Sequence, residues 1–218
     1  MSPGGPLRGE VRLPGDKSLS HRAALLASVA EGQSRVDNFL VAGVTRAALG
    51  ALTALGVGWR LEGVRLTVEG RGPSGLGAPR GALDCGSSAT TLRLLAGLLA
   101  GAGVGAVLDG SPGLRRRPMG RLVEPLRAMG ACLAACDGGH APLALEARPA
   151  GVRLKGLDWR LPAASAQLKS ALLLAGLWAE GPVTVREPGP SRDHTERLLS
   201  AMGALVAREG RFVSVRPA

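Results

Sequence analysis

The sequence has no tyrosine, and its aromatics amount to two phenylalanines and three tryptophans in 218 residues. A core must therefore be filled by Leu, Val and Ala, and the stacking platforms used by single-strand nucleic-acid binders are scarce. Lysine is nearly absent as well. Lys17, Lys155 and Lys169 are the only three, so almost every basic residue is an arginine. Cysteine is limited to Cys85, Cys132 and Cys136, an odd count that builds no disulfide framework and, without a signal peptide, suits a reduced, cytoplasmic setting. Cys132 and Cys136 could stand one turn apart on a helix. No His or Cys pair completes a zinc site, so no metal and no cofactor is expected. The longest uncharged run, residues 94–108, contains four glycines and is too short to cross a bilayer, so no membrane partner is expected.

What remains is a chain with 45% hydrophobic residues and a net charge of +10. The first excludes general disorder, and the second favours anionic partners. With so few aromatics, small phosphorylated molecules fit that charge at least as well as nucleic acid does.

Internal periodicity carries the fold. Apolar-periodic helices end at Gly56, Gly130 and Gly203, which lie 74 and 73 residues apart and suit left-handed C-caps. After each glycine comes a strand-like pair around a turn: Glu62-Gly63, then Asp137-Gly138-Gly139, then Glu209-Gly210. Before each such helix lies another rich in Leu and Ala on several faces, over residues 20–30, 88–100 and 165–179, as expected of buried helices. Short β-like stretches follow at 34–39, 105–109 and 183–187. The sequence thus predicts an α+β fold of three βαβαββ repeats (about 14–80, 81–150 and 151–218) with pseudo-threefold symmetry, helices inside and sheets outside.

A polar or glycine-containing stretch precedes each first helix. Helix starts expose unpaired N–H groups and a positive dipole end, which suit phosphates and carboxylates. Ordinary capping by Ser20, Ser88 and Ser165 would account for the serines. It does not account for the cations beside them. The first stretch, residues 13–22, reads Leu-Pro-Gly-Asp-Lys-Ser-Leu-Ser-His-Arg and brings together Lys17, Ser18 and Arg22. The second contains Asp84-Cys85-Gly86-Ser87-Ser88-Ala89, with Arg93 beyond it. The third contains Ser165-Ala166-Gln167-Leu168-Lys169-Ser170. Two cationic loops, Arg115-Arg116-Arg117-Pro118-Met119-Gly120 and Ser191-Arg192-Asp193-His194-Thr195, complete the set. An ammonium, a hydroxyl and guanidinium forks can hold a phosphate and a carboxylate together.

In this order and over nearly the whole chain, these motifs resemble the carboxyvinyl (enolpyruvyl) transferases, and among them the 3-phosphoshikimate 1-carboxyvinyltransferase (EPSP synthase) family. The resemblance implies an enzyme of the shikimate pathway to aromatic amino acids and chorismate. Its reaction would transfer the enolpyruvyl group of phosphoenolpyruvate to the 5-hydroxyl of shikimate 3-phosphate, releasing phosphate. It implies shikimate 3-phosphate contacts at Lys17, Ser18, Arg22, Ser165, Ala166, Gln167 and Arg192, and phosphoenolpyruvate contacts at Lys17, Ala89, Arg117 and Gln167. Lys17, between the two substrates, would support catalysis. Arg93 matches a family arginine, and a plain interdomain or helix salt bridge explains it equally well.

Two departures stand out. Ser87 replaces a frequent Asn, and Ala89 replaces a frequent Gly, so that its methyl would narrow the phosphoenolpyruvate pocket against the longer glyphosate. The resemblance also implies a second domain carrying the main acid and base groups, absent from this chain. Residues 1–13 would form a strand belonging to that domain, and 14–218 would be the shikimate 3-phosphate-binding domain, inactive alone. Other readings are half of a UDP-N-acetylglucosamine enolpyruvyl transferase, an RNA-binding or RNA-end-processing module of the same fold, and a regulatory or structural fragment.

Overall fold

In a computed structural model that describes residues 8–217, the three glycines expected to close helices all turn left-handed, with φ of +82° at Gly56, +96° at Gly130 and +90° at Gly203. Each stops a helix whose own register would otherwise continue into the following strand. The first unit runs α1 (Lys17–Val29), β1 (Glu31–Val36), α2 (Gly43–Ala54), β2 (Gly58–Glu62) and β3 (Arg65–Arg71). The second runs β4 (Leu83–Asp84), α3 (Ala89–Ala102), β5 (Ala106–Asp109), a single turn α4 (Pro112–Arg115), α5 (Gly120–Ala128), β6 (Leu133–Cys136) and β7 (His140–Leu145). The third runs β8 (Leu157–Arg160), α6 (Ala166–Gly176), β9 (Val183–Arg186), α7 (His194–Ala201), β10 (Val206–Glu209) and β11 (Phe212–Val215).

The second and third units match in topology. Their sheets have the orders β4-β5-β7-β6 and β8-β9-β11-β10, each with one parallel pair (β4 with β5, β8 with β9) and antiparallel pairs elsewhere. The first sheet, β1-β3-β2, is wholly antiparallel and has no counterpart of β4 or β8 among the described residues. The expected opening strand of the first repeat is thus corrected: residues 8–16 carry no strand and are mostly exposed. The strand expected over 1–13 otherwise falls on residues outside those described. Cys132 and Cys136 are corrected as well. They lie before and in β6, exposed and unpaired, rather than one turn apart on a helix.

The hairpins turn at the expected glycines. Gly63, Gly138, Gly139 and Gly210 all have positive φ. Between the sheets lie α1, α3 and α6. Twelve of the fourteen residues of α3 are buried, which its run of Leu, Ala and Gly without a polar face requires. Gly97 lets α3 approach α6, since a Cβ there would fall 2.1 Å from the Ala171 carbonyl oxygen. Leu, Ala and Val fill the core almost alone. Phe39 is 1% exposed while Phe212 lies on the surface, and the Trp59 and Trp178 indole N–H groups donate to backbone carbonyls at 3.0 and 2.8 Å. Among the described residues no helix is long and apolar enough to cross a membrane, and no group of three or more His, Cys, Asp or Glu could hold a metal ion.

Candidate anion-binding site

The starts of the three inner helices open onto one cavity of about 370 Å³. Its lining comes from α1 (Lys17, Ser18, Arg22), α3 (Thr90, Arg93), the start of α6 (Ser165, Ala166, Gln167) and the loop before α7 (Ser191, Arg192). Among the described residues, four cations line it and no carboxylate does. None of α1, α3 and α6 carries an acidic residue in its first turn, so the positive ends of α3 and α6 meet no side-chain counter-charge there, while α1 has the Asp16 carboxylate just before it. Lys17 even stands at the first position of α1, where a cation opposes the dipole.

Several lining residues are held from behind. Ser88 and Ser165 cap α3 and α6 as expected, accepting from the Thr91 and Leu168 amides at 3.1 and 3.4 Å. The cap of α1 is corrected. Asp16 accepts the Leu19 amide at 2.8 Å, so helix α1 begins at Lys17, and Ser20 instead ties the Asp16 carbonyl to the Leu40 amide. Gln167 is oriented by α3, its amide nitrogen donating to Thr90 Oγ1 at 3.1 Å and its oxygen accepting from Arg93 at 2.7 Å.

Arg22 is 2% exposed. Its Nε donates to Thr195 Oγ1 at 2.6 Å, and its two terminal nitrogens donate to Ser18 Oγ, the Ser18 and Ala166 carbonyls and Ser170 Oγ. All five N–H groups are therefore in use on neutral acceptors. Burial pulls its pKa below the ordinary arginine value, with nearby Arg192 pulling the same way and Glu196 opposing. His21, fully buried one turn after Lys17, places Nδ1 2.7 Å from the Lys17 carbonyl. Its Nε2 lies 3.1 Å from the Val44 carbonyl and 3.2 Å from Ser88 Oγ. Burial pushes its pKa below 6.5, so the neutral ring prevails.

The seven residues expected to contact shikimate 3-phosphate all line this cavity. Ala89 and Arg117 do not. Ala89 is buried as the first residue of α3, and Arg117 is exposed in the loop between α4 and α5. That loop still reaches the site. Arg93 donates to the Pro118 carbonyl at 3.2 Å, and its guanidinium pKa is lowered by burial and by the charges of Arg117 and Arg121. Arg93 meets no carboxylate among the described residues and stands in the cavity wall. Thr90, Ser191 and the buried groups behind them were not singled out by sequence reasoning as site residues. Cys85 is fully buried, and burial pushes its thiol up to about 12, which removes it as a nucleophile.

Fold and cavity together define a repeat-built α+β domain with a cationic cavity of a size and charge that suit a small, multiply charged anion. Known proteins narrow this. The family model described as EPSP synthase (3-phosphoshikimate 1-carboxyvinyltransferase) matches residues 1–218. A 3-phosphoshikimate 1-carboxyvinyltransferase of Alkalilimnicola ehrlichii is 50% identical over 218 residues, covering 99% of this chain and 48% of that protein. One of Thermus thermophilus is 52% identical over 215 residues, covering 98% and 49%. The solved EPSP synthase of Acinetobacter baumannii superposes with a TM-score of 0.92 at 42% identity, over 96% of this chain and 47% of that one. The chain belongs to the EPSP synthase family. It spans about half the length of the curated relatives it matches.

Proposed function

We propose that this chain binds shikimate 3-phosphate at the helix-start cavity and contributes it to the transfer of the enolpyruvyl group from phosphoenolpyruvate to its 5-hydroxyl. The observation that carries the reading is the meeting of Lys17, Arg22, Arg93 and Arg192 with three helix starts around one cavity whose described lining holds no carboxylate. A sugar-like phosphate with a second acidic group needs this combination: positive charge for the anions, hydroxyls and an oriented amide for the ring.

In this reading Ser165, the Ala166 backbone and Gln167 hold the phosphate and ring of shikimate 3-phosphate, with Ser18 and Arg192 on its other groups. Arg22 holds Ser18 and the start of α6 in place. Phosphoenolpyruvate lies next to Lys17 and Gln167, beside the start of α3, with Arg117 reaching it from its loop. The caps leave α3 a donor pair for it. Ser88 takes the Thr91 and Leu92 amides, while those of Ala89 and Thr90 meet no acceptor among the described residues. Held side by side and neutralised, the substrates react with less entropic and electrostatic cost.

The reaction also moves protons: one leaves the 5-hydroxyl and one reaches the methylene carbon as the tetrahedral intermediate forms, and a proton leaves the resulting methyl group as phosphate departs and the double bond returns. General acid and base groups must reach both centres. The cavity offers only cations, hydroxyls and an amide, and Lys17 alone does not serve these transfers. The chain is therefore proposed to bind but not to turn over by itself, and to act with a second, C-terminal domain that closes on the site. Calorimetric titration with shikimate 3-phosphate, with and without phosphoenolpyruvate, tests this. One saturable site without product is expected, and either no binding or robust turnover by the chain alone refutes it. The buried, poorly nucleophilic Cys85 argues against a UDP-N-acetylglucosamine enolpyruvyl transferase with a catalytic cysteine loop. The Ala89 methyl is proposed to lower glyphosate affinity. In the two-domain protein Ala89→Gly should raise glyphosate sensitivity, and unchanged inhibition ends that idea.

A further inference from the structure

Beneath the cavity lies a buried charge cluster that substrate contact does not explain. Lys169 is fully buried in α6, and its Nζ stands 2.7 Å from Glu187 Oε2 and 2.6 Å from Glu196 Oε1. The first contact is an aligned hydrogen bond. The second is an ion pair without such alignment, which leaves Glu196 short of directional partners. The two carboxylates sit at the two ends of one segment. Glu187 follows β9 and Glu196 lies in the first turn of α7. Between them the loop carries Ser191 and Arg192 to the cavity, and Ser191 Oγ donates to Glu187 Oε1 at 2.5 Å. Thr195, beside Glu196, accepts from Arg22. One ammonium thus pins the base of a loop whose tip forms part of the cavity wall.

We propose that Lys169 is a positioning residue: a buried clasp that fixes both ends of the 187–196 segment and thereby sets Ser191 and Arg192 at the anion site. Three physical arguments support it. Burying three charges is costly and is retained where it specifies one arrangement. Pinning both ends of a short loop removes most of its conformational freedom before a ligand arrives, so less ordering remains to oppose binding. Finally, the chain uses arginine almost everywhere, with Lys155 the only lysine besides Lys17 and Lys169. A compact ammonium fits between two facing carboxylates where a planar guanidinium would need more room. Lysine persists where that shape is needed.

The proposal rests on the cavity being the shikimate 3-phosphate site, and the test keeps the two apart. Lys169→Met and Glu187→Gln are compared with wild type by hydrogen exchange, without ligand, of the amides of residues 187 and 197, which are hydrogen-bonded at the two ends of the loop to the Arg211 and Asp193 carbonyls. They are compared again by titration with shikimate 3-phosphate. Faster exchange at these two amides with α3 unchanged, and affinity weakened by about tenfold or more, is expected. If Lys169→Met does not fold, Glu187→Gln, which keeps size and the acceptor for Ser191, decides alone. The triple variant Lys169→Met, Glu187→Gln, Glu196→Gln removes the charges together. It should regain stability but not affinity, and regained affinity would show that only charge balance mattered and overturn the proposal. Unchanged loop exchange or unchanged affinity in a folded Glu187→Gln variant also overturns it. If wild type fails to bind, the functional reading falls, and the exchange data alone judge the clasp.

Discussion

The third repeat handles charge in two opposite ways. On its outer sheet Arg186 and Asp158 form an exposed pair, each about half accessible, with Arg186 also over the Phe212 ring at 4.8 Å. On its inner side Lys169, and the Arg22 that α1 brings against it, are 0% and 2% exposed and are held by carboxylates, hydroxyls and carbonyls. Exposed pairs are screened by water and contribute little. Buried charges must be partnered, so they fix whatever partners them. The basic composition is thus two populations: a solvated surface, and a few groups that organise the cavity.

Removing a buried member should show the largest effect. Arg22→Met leaves Thr195 Oγ1 without its donor and takes one partner each from Ser18 and Ser170. It should cost roughly 3 kcal/mol or more by denaturant unfolding and abolish shikimate 3-phosphate binding. A loss below 1 kcal/mol would break the comparison. Gln167→Glu should separate binding from stability. The new carboxylate can pair with Arg93 yet repels the ligand, so affinity should fall by about tenfold or more with unfolding little changed.

His21 sharpens the comparison through pH. Burial holds its pKa below 6.5, so the unfolded chain takes up a proton before the native one as pH falls through that value. Its contribution is complete above 6.5 and is lost below it. His21→Asn should flatten the decline of the melting temperature between pH 7 and 5, and an unchanged slope would remove His21 as its cause. The smallest effect is expected at the surface. Asp158→Asn, breaking the pair with Arg186, should leave both melting temperature and ligand affinity within error.

Much of this was legible beforehand because it depends on local chemistry. The closing glycines, the serine caps of α3 and α6 and the hairpin turns each follow from residue type and spacing. The seven cavity residues expected for shikimate 3-phosphate came instead from the family resemblance that these motifs carry. What was missed depends on contacts distant in sequence. Asp16 displaced Ser20 as cap because the start of α1 moved to Lys17. That the first sheet holds no counterpart of β4 and β8 among the described residues could not be seen from apolar alternation. Arg93 was weighed as a salt-bridge residue, yet its partner is an amide 74 positions away. The Lys169 cluster links α6 to residues 18 and 27 positions further on. The one local hint was a lysine kept in an arginine-rich chain.

Backbone amide shift mapping addresses the convergence of the helix starts most directly. On adding shikimate 3-phosphate, perturbed amides should cluster in four separate stretches, 17–22, 89–93, 165–170 and 191–195, and saturate together. Shifts confined to one stretch, or spread over the outer sheets, would contradict a single shared pocket.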